Sequence, residues 1–181
     1  MINRYKHWAS REYSLSRRLL ALIPAGFLFV LILPYLLVIL VPRLDALLQL
    51  PTLYFGPVNI VVGSFLLVIG VIYGFWSIYS QLSRASGTPL PMMPTQKLLI
   101  GGPFKQCRNP MTFGTVTAYL GVGILVGSLS SIVFDLIMGG LLLTYLKKFE
   151  ERELEMRFGQ DYVEYKKSTP FFFPRIRFNK R

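Results

Sequence analysis

One cysteine, Cys107, and one histidine, His7, are all that 181 residues supply. A lone cysteine cannot close an intramolecular disulfide, and a lone histidine excludes a His-rich metal site. It also leaves no Ser/His/Asp set away from the N-terminal arm. No histidine stands near Cys107 in sequence to activate it, so a thiol nucleophile is not expected there.

Charge is scarce as well. Only 16% of the residues are charged, while 52% are apolar, far from the balance of a soluble domain. Residues 19 to 42 and 46 to 83 contain no charge at all, and residues 111 to 146 contain only Asp135. A bilayer crossing needs roughly 20 apolar residues, so each block is long enough to cross. The first block exceeds a signal-peptide core and is followed by no small-residue cleavage site, so a permanent helix is expected.

The net charge of +11 would suggest a nucleic-acid partner in a soluble protein. Here the positions of the cations point elsewhere. Five precede Leu19, Arg43 stands alone between the first two blocks, four lie from Arg84 to Arg108, and ten follow Leu146. The positive-inside tendency assigns the three larger groups to the cytoplasm and the Arg43 loop to the outside. A single helix over residues 111 to 146 would be roughly 54 Å long against a core of about 30 Å. It would also export the basic tail. Two shorter helices turning at Gly127 to Ser131 keep that tail inside, giving four spans with both termini cytoplasmic. In this topology Asp135 is read as a helix-start carboxylate near the outer interface in preference to an intramembrane proton site.

The expectation is therefore an all-α integral membrane protein with about four transmembrane helices, the last two a tight hairpin, and a cytoplasmic amphipathic C-terminal helix. It is read as one domain over 1–181. An arm at 1–18 carries Tyr5, Trp8 and Tyr13 among cations, as suits an anionic leaflet. Two spans follow within 19–83, where Pro24 and Pro34 predict bends. A cytoplasmic loop at 84–110 is irregular but too apolar for free disorder, with Leu90, Met92, Met93, Leu98, Leu99, Ile100 and Phe104. The hairpin occupies 111–146, and Gly121, Gly123, Gly139 and Gly140 within it predict close helix packing. In 147–181, Phe149, Leu154, Phe158, Tyr162 and Tyr165 fall near one helical stripe, with Gly159 a candidate break.

The topology returns both legs of the hairpin to the cytoplasmic side, which brings Arg108 and Asn109 near Glu150 and Glu151. A planar donor fork suits a carboxylate, and paired glutamates suit an ammonium, so a free amino acid head group fits the set. A snorkelling Arg108 and a solvated helix face with a Glu153 to Arg157 pair account for the same residues.

Arg108-Asn109-Pro110-Met111, Gly114, Tyr119-Leu120-Gly121, Glu150-Glu151 and the closing Phe158 to Pro174 segment resemble the phospholipid methyltransferase and isoprenylcysteine carboxyl methyltransferase superfamily. The resemblance covers Gly101 to Pro174. Phe158, Gly159, Tyr162, Tyr165, Thr169, Pro170 and Pro174 are similar to the isoprenylcysteine branch, whose turn however reads R-H-P-x-Y. Here Asn109 and Thr112 replace its histidine and tyrosine, and N-P-M followed by Y-L-G is similar to phosphatidylethanolamine N-methyltransferases.

The resemblance implies a methyltransferase that uses S-adenosylmethionine and needs no metal. Arg108, Asn109, Pro110, Met111, Gly114, Glu150 and Glu151 would hold the cofactor, with Asn109 and Glu150 as positioning candidates. Asn109 can bind but cannot titrate, so it is no general base. The acceptor should be a lipophilic molecule drawn from the bilayer, either an isoprenylcysteine-like carboxylate or another lipid head group such as a phospholipid amine. Two other readings stay open: a membrane reductase using NADPH, and a non-catalytic lipid-binding subunit. The expected location is the plasma (inner) membrane, with no nucleic acid and no obligate protein partner.

Overall fold

The computed structural model describes residues 13–90 and 93–175. Most of the expected N-terminal arm, including His7, lies outside the described residues, as do Met92 and the last six residues. Among the described residues all regular structure is helical. Four apolar helices follow one another: α1 (Leu15–Leu47), α2 (Pro57–Arg84), α3 (Pro110–Val126) and α4 (Leu129–Phe158). A short polar helix, α5 (Gln160–Ser168), closes the regular structure. Helices α1, α2 and α4 have 33, 28 and 30 residues and are apolar enough to cross a membrane. With 17 residues α3 is shorter, roughly 25 Å at about 1.5 Å per residue.

Outward-facing residues are what a lipid solvent requires. Leu20, Ile23, Val30 and Leu31 on α1, with Val61, Phe65 and Ile72 on α2, are each more than half exposed. In water such surfaces would drive aggregation; in hydrocarbon they cost nothing.

The chain forms two compact units. One comprises Pro24–Gly74 and Thr112–Tyr145. Its helices approach through small residues. A methyl group added to Gly70 would lie 2.4 Å from the Gly114 carbonyl oxygen and 2.4 Å from the Ala118 nitrogen. One added to Gly121 would lie 2.6 Å from the Gly63 carbonyl oxygen. Helices α2 and α3 thus touch backbone to backbone, the arrangement that lets membrane helices gain dispersion contacts without a hydrophobic drive. Gly123 and Gly139 likewise abut Ile132 and Val116, whereas Gly140 faces open space, so close packing accounts for only one of that pair.

Of the two prolines expected to bend α1, Pro24 lies within regular α-helix, whereas Pro34 is flanked by two π-helical turns, Leu28–Ile32 and Leu36–Leu40. A proline ring displaces the carbonyl four residues earlier, here Val30, and the wider turn absorbs the displacement. Within the first π turn the Phe29 carbonyl accepts a 2.6 Å hydrogen bond from the Tyr119 hydroxyl.

The hairpin turns where the sequence predicts, at Gly127 with φ +69. The expected role of Asp135 is not observed. It lies well inside α4, only 3% exposed, and Asp45 takes the helix-start position instead. Asp45 Oδ1 accepts from the Ser130 N–H at 2.8 Å and Oδ2 from the Ser128 hydroxyl at 2.5 Å. Asp45 thus satisfies the Ser130 N–H at the start of α4, while the Ser131 N–H donates to Ser128 Oγ at 3.1 Å.

The other unit comprises Met1–Ile23, Phe75–Met111 and Leu146–Arg181. Its long loop is packed, as its apolar content predicts. The Gln96 N–H donates to the Ala85 carbonyl at 2.8 Å and that of Thr88 to Met93 at 2.9 Å, so the segment folds back on itself. Ala85, Gly87, Thr88, Pro103 and Cys107 are buried.

Candidate functional site

The second unit gathers the ionic residues. Arg108 precedes α3, and Pro110, fully buried, opens that helix. Proline is well placed there because its missing N–H needs no partner in the first helical turn. Glu151 lies on α4 just after a π-helical turn, Leu146–Glu150. Arg108 Nη1 stands 2.8 Å from Glu151 Oε1, with the two side chains only 10% and 5% exposed. The expected proximity of Arg108 to the glutamate pair is therefore present, and it takes the form of a direct ion pair.

Glu150 behaves differently from its neighbour. Successive helical residues diverge by about 100°. Glu151 turns inward, while Glu150 is half-buried and forms no ion pair among the described residues. The Glu153 to Arg157 pair is also present, at 3.3 Å. Arg157 further donates to the Thr95 carbonyl, tying the loop to the end of α4.

Asn109 has a role that its position in the turn did not suggest. Its Nδ2 donates to the Phe171 carbonyl at 3.0 Å, and the Arg108 N–H donates to the Pro170 carbonyl at 2.9 Å. The Arg175 N–H reaches the Gln106 carbonyl at 2.9 Å, so residues 170–175 run along residues 106–109 as a strap. The Phe171 ring lies under the Arg108 guanidinium, 5.4 Å from centroid to Cζ. Met111 is half-buried at the start of α3. Gly114 lies in the first unit, where α2 occupies the space beside its Cα. A methyl group there would be 2.6 Å from the Gly70 carbonyl oxygen and 2.6 Å from the Gly74 nitrogen. Its smallness serves helix packing.

Three further residues complete the cluster, and spacing along the chain gave no reason to assign them to it. Lys166 Nζ lies 2.9 Å from Glu151 Oε2 and 2.8 Å from Glu155 Oε1. These contacts, chiefly the one to Glu155, hold the ammonium above its ordinary pKa. Tyr162 and Tyr165 are buried, and the Tyr165 hydroxyl donates to the Phe104 carbonyl at 2.6 Å. Burial pushes both phenols up, so neither is a ready source of phenolate. Burial likewise pushes the Cys107 thiol up to about 11, which suits a structural cysteine.

The expected single stripe on the C-terminal helix is corrected. Gly159 breaks the helix with φ +58 and ψ −130, and α5 starts afresh at Gln160. Tyr162 and Tyr165 are buried, while Phe149 is 63% exposed, because it lies in the π turn and falls out of phase with them.

An all-helical chain with several apolar helices, three of them long enough to cross a membrane, has the make-up of a membrane protein, and its second unit carries a buried ionic cluster. The phospholipid methyltransferase family matches residues 58–161, more than half of the chain, and the chain belongs to that family. It is thus a member of a family of membrane methyltransferases that act on lipid-related substrates. No curated protein sequence matches it.

Proposed function

We propose that this protein transfers the methyl group of S-adenosylmethionine to the head group of a lipid taken from the bilayer. The observation that carries the reading is Arg108. Its guanidinium is buried, yet among the described residues Nε has no hydrogen-bond partner, and Nη1 touches Glu151 without hydrogen-bond alignment. A buried, incompletely bonded donor fork is costly unless a ligand completes it. A carboxylate is the matching group, and Glu150, without an ion pair among the described residues, is the matching acceptor for an ammonium.

These residues fit an amino acid head group, which is what S-adenosylmethionine presents at that end. Arg108 would take its carboxylate and Glu150 its ammonium. When bound, the sulfonium supplies an already activated methyl group. The protein's own contribution is alignment and exclusion of water. Asn109 holds the strap of residues 170–175 in place, and Phe171 covers one face of the guanidinium.

The cation distribution supports a site on the cytoplasmic side of a plasma (inner) membrane, with both termini inside. The family match favours a phospholipid head group as acceptor. A second reading, a carboxylate acceptor, is favoured by Asn109, which supplies no base to deprotonate an ammonium.

Calorimetry on detergent-purified protein tests the cofactor. Binding of S-adenosylmethionine or its demethylated product is expected, and binding of NADPH instead would overturn the reading. Glu150→Ala is expected to abolish binding while the protein stays folded. Incubation with methyl-labelled cofactor and a membrane lipid extract separates the acceptors. A methylated amine keeps its label in alkali, whereas a methyl ester releases it as methanol.

A further inference from the structure

The two adjacent glutamates are not equivalent. Glu151 has a cation on each oxygen: Arg108 Nη1 at 2.8 Å from Oε1 and Lys166 Nζ at 2.9 Å from Oε2. Glu150 has none among the described residues. A cofactor ammonium approaching this pair would meet one carboxylate already neutralised and one available.

Lys166 also decides what Glu151 can do. Glu151 and Glu155 are four residues apart on α4, where like charges repel. Lys166, returned to them by the Gly159 break, bridges both. With Oε2 held by Lys166, only Oε1 contacts Arg108, and Arg108 Nε is left without a partner among the described residues. Released from Lys166, Glu151 could turn both oxygens onto the guanidinium as a bidentate fork. The donors needed for a second carboxylate would then be consumed.

We propose that Lys166 is a positioning residue. It pins Glu151 in a one-oxygen contact with Arg108, keeping guanidinium donors open for the cofactor's carboxylate, and Glu150 alone receives the cofactor's ammonium. The inference rests on the S-adenosylmethionine reading.

The test compares two ligands by calorimetry: S-adenosylmethionine, and its decarboxylated analogue, which keeps the ammonium but gives Arg108 nothing to hold. Lys166→Met should weaken the first on the order of tenfold, as loss of one charge-assisted contact does. It should leave the analogue at wild-type affinity, which also shows that the variant is folded. Lys166→Arg should keep both affinities. Glu150→Gln should weaken both ligands alike. If Lys166→Met weakens both ligands equally, or neither, the positioning role is wrong. Wild-type protein that binds neither ligand overturns the cofactor reading itself, and this inference with it.

Discussion

The Asn109 side-chain amide donates a 3.0 Å hydrogen bond to the Phe171 carbonyl, joining the turn before α3 to a strap 62 residues further along the chain. Pro170 and Pro174 have no N–H to give, so the strap is held through the carbonyls of Pro170 and Phe171 and the N–H of Arg175. Asn109→Asp removes the donor and sets a carboxylate oxygen against a carbonyl. Hydrogen exchange across residues 169–175 should quicken while exchange in α4 stays slow. Unchanged exchange in the strap would mean that Asn109 does not hold it.

Arg108 is bound on one side by charge and on another by an aromatic face. Lysine keeps the charge but loses the planar fork and the stacking, so the exchange is not conservative. Arg108→Lys should lower affinity for S-adenosylmethionine by about tenfold or more, since it removes at least one charge-assisted hydrogen bond. Titration calorimetry checks this, and wild-type affinity would show that the guanidinium geometry is irrelevant.

Much of the fold was legible because solvent quality dictates it. Charge-free runs set the helices, and Gly127 with its serines set the hairpin turn. The site was legible only in part. Arg108 and Glu151 meet as the topology implies, but the difference between Glu150 and Glu151 depends on helical phase next to a π turn. Lys166 was invisible because Gly159 breaks the helical register that would relate it to Glu151 and Glu155. Asp135 was misread for a similar reason. Capping depends on which carboxylate reaches the first turn, and Asp45 does so from another helix.

Cys107 is fully buried, and its thiol is raised from 9.0 to about 11 by desolvation, offset in part by the Asn109 backbone. Native protein at pH 8 should resist maleimide labelling, and unfolded protein should react. Between pH 9 and about 11 the unfolded thiol ionises while the native one stays protonated. The unfolded state then binds fewer protons, so this group's contribution to stability is complete below that window and falls as pH rises through it. Cys107→Ala should retain methyl transfer. Rapid native labelling, or loss of activity in that variant, would return the thiol to consideration as a nucleophile.

Gly114 separates packing from binding. Its Cα lies against backbone atoms of Gly70 and Gly74, which cannot yield as a side chain can. Gly114→Ala should destabilise the protein by about 1–3 kcal/mol, the usual range for overpacking. Thermal unfolding in detergent measures this, and affinity for S-adenosylmethionine per folded molecule should be unaltered. A variant of wild-type stability with weakened binding would place Gly114 in the cofactor site after all.

Gly159 isolates the contribution of backbone conformation. It has φ +58 and ψ −130, and a methyl group there would meet no atom within 4 Å. Gly140 also has nothing within 4 Å, but it lies inside α4 with ordinary helical geometry. Alanine therefore introduces no clash at either position. At Gly140 it should be neutral or slightly stabilising, because alanine is the better helix former. At Gly159 it should cost about 1–3 kcal/mol, as residues other than glycine do in that region of backbone space. The strain would be relieved most easily by shifting α5, and Lys166 would then leave Glu151 and Glu155. Gly159→Ala should accordingly lower the melting temperature and weaken S-adenosylmethionine binding together, while Gly140→Ala changes neither for the worse. Equal behaviour of the two variants would show that the break at Gly159 carries no special conformation.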